Sequence, residues 1–91
     1  MKQVNIKVAG LVQGVFFRAE TQDFAEAHSI TGWVKNDPDG GVSILAQGEQ
    51  EALNQLIEWC RKGPSGAEIK DIRVSPQENI EQILESFEVI Y

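Results

Sequence analysis

Residues 2–9 alternate. Val4, Ile6 and Val8 fall on one side of the chain, and Gln3, Asn5 and Lys7 on the other. A period of two predicts a strand with one buried face. From residue 17 the period lengthens. Phe17, Thr21, Phe24, Ala25 and His28 recur at spacings of three and four. That stripe predicts a helix over 17–29, closed by Ser29 to Gly32, with Ile30 packing beneath its end. Alternation returns over 31–36. Asp37-Pro38-Asp39-Gly40-Gly41 then forms a strong turn signal, because proline presets one torsion and the glycines accept positive φ. A strand over 42–47 follows, with Val42, Ile44 and Ala46 on one face, so this pair reads as a hairpin.

Acidic residues after Gly48 suit the start of a second helix, with Leu53, Leu56, Ile57 and Cys60 inward. Arg61-Lys62-Gly63-Pro64 stops it. A fourth strand covers 68–75. Its alternation slips between Ile69 and Ile72, which predicts a bulge or an edge position. Residues 76–82 read as a polar connector, 78–86 leave room for a helical turn, and 87–91 form a last short strand.

The order is β-α-β-β-α-β with a short extra C-terminal strand. The fold class is therefore α+β: a ferredoxin-like sandwich with two helices on one face of an antiparallel sheet. Right-handed crossovers set strands one and three side by side in the centre. The loop after strand one then leaves a central strand, and Asn36, at the end of strand two, comes near it.

Ninety-one residues predict a single domain, 1–91. No run of about 18 apolar residues is present, so no membrane span is expected. The N-terminus lacks a signal-peptide core, and a cytoplasmic location is the expectation. Cys60 is the only cysteine, which excludes an intrachain disulfide. Fourteen acidic residues against eight basic ones give a net charge of −6. Such a surface repels nucleic acid and anionic lipid, so neither is expected as a partner. A phosphate-bearing ligand would have to be held by a local positive site. With no long apolar patch evident, a monomer is expected.

One stretch offers that site. Gly10-Leu11-Val12-Gln13-Gly14-Val15-Phe16-Phe17-Arg18 runs from a strand, through two glycines, to a cation at a helix start. Glycine lets successive amides face one concave side, and a helix N-terminus adds partial positive charge. The pattern describes an anion cradle. It is neither GxGxxG nor GxxxxGK[ST], so it lacks the nucleotide fingerprints. Arg18 offers a planar fork of donors for phosphate oxygens. The alternative is a surface arginine pairing with Glu20 or another acid. Asn36 reads as a turn asparagine or as a carboxamide that holds a water beside a bound phosphoryl group. His28, the only histidine, reads as a packing or capping residue, and no ligand set for a metal is apparent. Cys60, Trp33, Trp59, Phe16 and Phe17 read as packing residues.

Two motifs then resemble the acylphosphatase family. Residues 10–18 fit its first signature, G-x-V-Q-G-V-x-F-R, at every fixed position. Gly32-Trp33-Val34-Lys35-Asn36, followed by Gly40, Val42 and Gly48, resembles the second. The resemblance covers the whole chain. It implies the ferredoxin-like fold, hydrolysis of the carboxyl–phosphate bond of small acyl phosphates, and no metal or organic cofactor. It further implies that Arg18 binds the phosphate with the amides of Gln13, Gly14, Val15, Phe16, Phe17 and Arg18, and that Asn36 orients the attacking water. Thr21 resembles a family threonine near the site. Asp37 stands where relatives often carry threonine; it and Asp39 are expected to point outward. The alternative is a non-catalytic phosphate- or anion-binding regulatory module on the same fold. An RNA-binding domain would need aromatics on the central strands and a basic face, which this chain lacks.

Overall fold

The alternating segments become strands and the three-four stripes become helices. A computed structural model describes residues 1–91. Its order is β1 (Lys2–Leu11), α1 (Phe17–Ala27), β2 (Thr31–Asn36), β3 (Val42–Gly48), α2 (Gln50–Lys62), β4 (Glu68–Gln77) and β5 (Phe87–Ile90). One sheet runs β4-β1-β3-β2-β5. Ile6 lies opposite both Ile44 of β3 and Val74 of β4, so apolar residues line up across the inner face. α1 covers β2 and β5, while α2 covers β4, β1 and β3. Val4, Ile6, Val8, Val34, Ile44 and Phe87 from the sheet meet Phe17, Ala25, Leu53, Leu56 and Cys60 from the helices in one buried cluster. Each such large side chain contributes roughly 1.5–3 kcal/mol by leaving water.

Four strands pair antiparallel, as the sequence pattern predicts, and β5 is the exception. It runs parallel to β2, which makes the sheet mixed. The reason is topological. Residues 78–86 carry the chain from β4 at one edge to β5 at the other, along one end of the sheet. A strand entered from that end must run with β2, not against it. The segment takes no helical turn. It is fixed instead by Gln47, whose Nε2 donates to the Gln82 carbonyl (2.6 Å) and whose Oε1 accepts from the Leu84 N–H (2.9 Å).

Other boundaries shift for local reasons. α1 ends at Ala27, short of residue 29, because Ser29 turns left-handed (φ 57°). The Ser29 and Ile30 N–H groups then bond back to the Glu26 and Ala25 carbonyls, a Schellman closure without glycine. β4 extends to Gln77, through Pro76, which an edge strand tolerates. The slip in its alternation is a register shift: Ala9 faces Asp71 but Gly10 faces Ile69. A Cβ at Gly10 would overlap the Glu68 carbonyl oxygen, so only glycine fits where β1 bends toward the following loop.

Candidate active site

β1 delivers the chain to a loop of four bends, Gln13 to Phe16, and α1 takes it away. Val12 and Phe17 are buried and anchor the two ends. Between them the backbone turns left-handed at Gly14 (φ 77°) and Phe16 (φ 63°). The second is costly for a residue with a Cβ, on the order of 1–2 kcal/mol. Phe16 is the N-cap of α1, yet no side chain caps that end. The helical ladder begins with the Glu20 N–H donating to the Phe16 carbonyl (3.0 Å). The N–H groups before Glu20 therefore have no intrahelical acceptor, and the dipole adds positive character where they lie.

Arg18 sits in the first turn of α1, half-buried. Its Nη1 donates to the Ile90 carbonyl (3.2 Å), and its guanidinium lies 4.8 Å from the Tyr91 ring centroid. The ion pairs of the chain involve Lys7, Arg61 and Arg73, so Arg18 is matched with neither Glu20 nor any other carboxylate. The C-terminal strand thus aims the arginine without neutralising it.

Arg18 and Asn36 line the same cleft, of about 260 Å³, together with Gly14, Phe16 and Phe17. Asn36 reaches it because β2 lies two strands from β1 and ends on the same side of the sheet. The Gln13 side chain turns away and donates to the carbonyls of Asp37 (2.9 Å) and Gly41 (3.0 Å), bracing the loop against the hairpin. Neither Gln13 nor Val15 lines the cleft, although their amides belong to the loop. A guanidinium, a carboxamide and free helix-end amides form a donor-rich set suited to an anion that also needs an oriented neighbour.

Asp37 and Asp39 face away, as expected. Lys7 donates to Asp37 and, at 3.0 Å, to Asp39, while the Ser43 hydroxyl donates to Asp37 at 2.5 Å. Burial pushes the Asp37 carboxyl up, but the hydrogen bonds from Lys7 and Ser43 outweigh it and hold the group below the usual aspartate range. The Gly41 N–H, then Lys7, lower Asp39. The bond to Asp37 raises Lys7 in turn.

Some residues stand elsewhere than the sequence suggests. Thr21 is fully buried and its hydroxyl donates to the Phe17 carbonyl (2.7 Å), inside the helix and away from the cleft. Phe16 is not a packing residue: its left-handed backbone turns the side chain out, and it is 78% exposed. Phe17 and Trp59 do pack, with ring centroids 5.3 Å apart. His28 stacks on Phe24, with Nδ1 at 2.8 Å from the Phe24 carbonyl oxygen. Cys60 is buried, and desolvation pushes its thiol up to about 12. Sequence reasoning missed Val12, Ala19, Val89 and Tyr91, which complete the cleft. The loop signature could have suggested the first two, since Val12 is one of its fixed positions and Ala19 directly follows it. The last two arrive only through the pairing of β5 with β2, where Lys35 faces Ile90.

No helix is long and apolar enough to cross a membrane. Nowhere do three or more His, Cys, Asp or Glu side chains converge as a metal site would require. The sequence model of the family described as Acylphosphatase matches residues 4–89. The acylphosphatase of Gloeobacter violaceus is 40% identical over 88 residues, covering 97% of this chain and 92% of that protein. The crystal structure of acylphosphatase from Bacillus subtilis superposes with a TM-score of 0.94 at 38% identity, covering all of both chains. Full-length HypF, in a phosphate- and nucleotide-bound form, matches with a TM-score of 0.88 at 27% identity; 99% of this chain covers 12% of that one.

Proposed function

The chain belongs to the acylphosphatase family, and from that premise we propose that it hydrolyses the carboxyl–phosphate bond of small acyl phosphates. The products are a carboxylate and inorganic phosphate. The observation that carries the reading is the meeting of Arg18 and Asn36 in one cleft beside the loop from Gln13 to Phe16. They are far apart in sequence and differ in chemistry, and each supplies what the other lacks.

The reaction asks little acid–base chemistry of the protein. The departing carboxylate is stable as an anion, so it needs neither protonation nor a Lewis acid. What remains is to hold the phosphoryl group, spread its charge and aim a water in line. Arg18 binds two phosphoryl oxygens with its fork, and the amides of Gln13 to Arg18 bind the third. Asn36 accepts from the water and fixes its line of attack. The water oxygen bonds to phosphorus as the phosphorus–acyl oxygen bond breaks. The electron pair leaves with the carboxylate, and the water's proton passes to an oxygen of the phosphate itself. No cofactor is required, and the protein acts as a cytoplasmic monomer.

The test is phosphate release from benzoyl phosphate, with and without chelator. Release above the uncatalysed rate, unaffected by chelation, is expected. A second reading has one observation in its favour: the same fold forms 12% of HypF, so it also serves within larger proteins. On that reading the cleft binds an anion without turnover, and phosphate binds while benzoyl phosphate hydrolyses only at its background rate.

A further inference from the structure

We propose that Phe16 sets substrate specificity, its ring forming the wall against which an aromatic acyl group packs. The proposal rests on the acyl-phosphate reading and names the acyl groups that reading favours. Six of the nine residues that line the cleft are hydrophobic. A phosphoryl dianion gains nothing from apolar walls, because burying charge against them carries a desolvation cost. Its needs are met by Arg18, Asn36 and the loop amides. The apolar part of the cleft must therefore serve the other half of the substrate. The acyl carbon is one oxygen away from phosphorus, so that half emerges directly onto the rim.

Half of the apolar lining is already committed. Val12 and Phe17 belong to the core, at 1% exposure each, and the Tyr91 ring lies over the Arg18 guanidinium. Phe16 is committed to nothing: it is 78% exposed and stacks on no other ring. Its backbone is left-handed, a conformation natural to glycine or asparagine and unfavourable for phenylalanine. The loop signature leaves this position open. Neither the fold nor the shape of the loop explains an aromatic ring here; a contact made only with bound substrate does. Phe16 takes no part in bond making or breaking, and its effect is on which acyl group binds.

The experiment compares kcat/KM for benzoyl phosphate and acetyl phosphate within each of three proteins: the full chain, Phe16→Asn and Phe16→Tyr. Asparagine removes the ring but accepts the left-handed backbone, so the loop keeps its course. The benzoyl-to-acetyl ratio is expected to fall about tenfold in Phe16→Asn, the value of one lost aromatic contact. The change should lie in KM for benzoyl phosphate, and Phe16→Tyr should restore the ratio. A ratio unchanged in Phe16→Asn, with the unaltered chain active on both substrates, overturns the role of Phe16 alone. If the unaltered chain releases phosphate from neither substrate, the acyl-phosphate reading fails and this inference with it.

Discussion

The side-chain amide of Gln13 donates to the carbonyl oxygen of Asp37 across 2.9 Å. Through this bond and its companion to Gly41, the loop that leads to Arg18 is tied to the residue after Asn36. Two cleft-lining groups, Arg18 on α1 and Asn36 at the end of β2, are thus held in register by one amide. Replacing Gln13 with alanine removes both bonds, each worth about 1 kcal/mol net. The expected loss of stability is about 1–2 kcal/mol. On the proposed function kcat/KM falls roughly tenfold or more, because small misplacements of reacting groups are expensive. Gln13→Glu should do no better, since a carboxylate cannot donate to two carbonyls. Wild-type kinetics in Gln13→Glu would remove the bracing role.

Arg18 and Asn36 should fail differently. On the proposed mechanism Arg18 holds the phosphoryl group in both ground and transition states. Arg18→Ala is therefore expected to lose inorganic phosphate binding and to lower kcat/KM by about 10²–10³ or more. Arg18→Lys keeps the charge but loses the fork, and should recover only part of the activity. Asn36→Ala should still bind inorganic phosphate with near-normal affinity while kcat falls about a hundredfold. Competitive inhibition by phosphate, measured beside turnover, separates the two. Equal loss of phosphate affinity in both variants would contradict the division of roles.

The Lys7–Asp37–Ser43 junction gives the fold an acid limit. Asp37 is held below its ordinary range by its partners despite its burial. The stability it contributes is present above the unfolded-state value, near pH 4, and is lost as pH falls through the folded-state value. Lys7, which is raised, contributes below its own unfolded value near pH 10, so both contribute fully in the neutral range. Thermal melts from about pH 6 to pH 2 should show the unaltered chain losing more stability than Asp37→Asn, with the curves converging in acid. Parallel curves would mean that Asp37 contributes nothing through its charge.

What the sequence made legible, and what it did not, follows the range of the contacts. The alternation of Val4, Ile6 and Val8 identifies β1 because a period of two has one reading on a half-buried strand. The nearness of Arg18 and Asn36 follows from strand order, which chirality rules restrict. Tyr91 and Ile90 were out of reach. They meet Arg18 because β5 pairs parallel to β2, across more than fifty residues of chain. Phe16 misled for the opposite reason. An aromatic beside Phe17 suggests core, but a single left-handed residue turns it to solvent, and that reversal has no signature in hydrophobic periodicity.

Cys60 should be chemically silent while the protein is folded. It is fully buried on α2, and its thiol is pushed up to about 12, so almost no thiolate exists at neutral pH. Thiol-directed reagents at pH 7–8 are expected to label it only as fast as the protein unfolds, and labelling should become immediate in denaturant. Rapid modification of the native protein would show that α2 opens locally without global unfolding.

Gln47 should be among the most stability-critical polar residues, although it is far from the cleft. It lies on the sheet face opposite the helices, yet is 1% exposed because residues 78–86 cross over it. Its amide donates to Gln3 Oε1 (2.6 Å) and to the Gln82 carbonyl, and its carbonyl oxygen accepts from the Leu84 N–H. Gln3 in turn donates to Gln77 (2.7 Å), which carries the network to the end of β4. Gln47→Leu keeps a similar volume but strands several buried polar groups. Each unsatisfied group costs about 1–3 kcal/mol, so a total loss of about 2–4 kcal/mol is expected. The loss should be visible first as faster hydrogen exchange at Leu84, and then at Gly32, whose N–H bonds to Ser86 at the end of the crossing segment. Phosphate release at a temperature where the variant is folded should change little. A large loss of activity without faster exchange at Leu84 would mean that Gln47 acts on the cleft by another route.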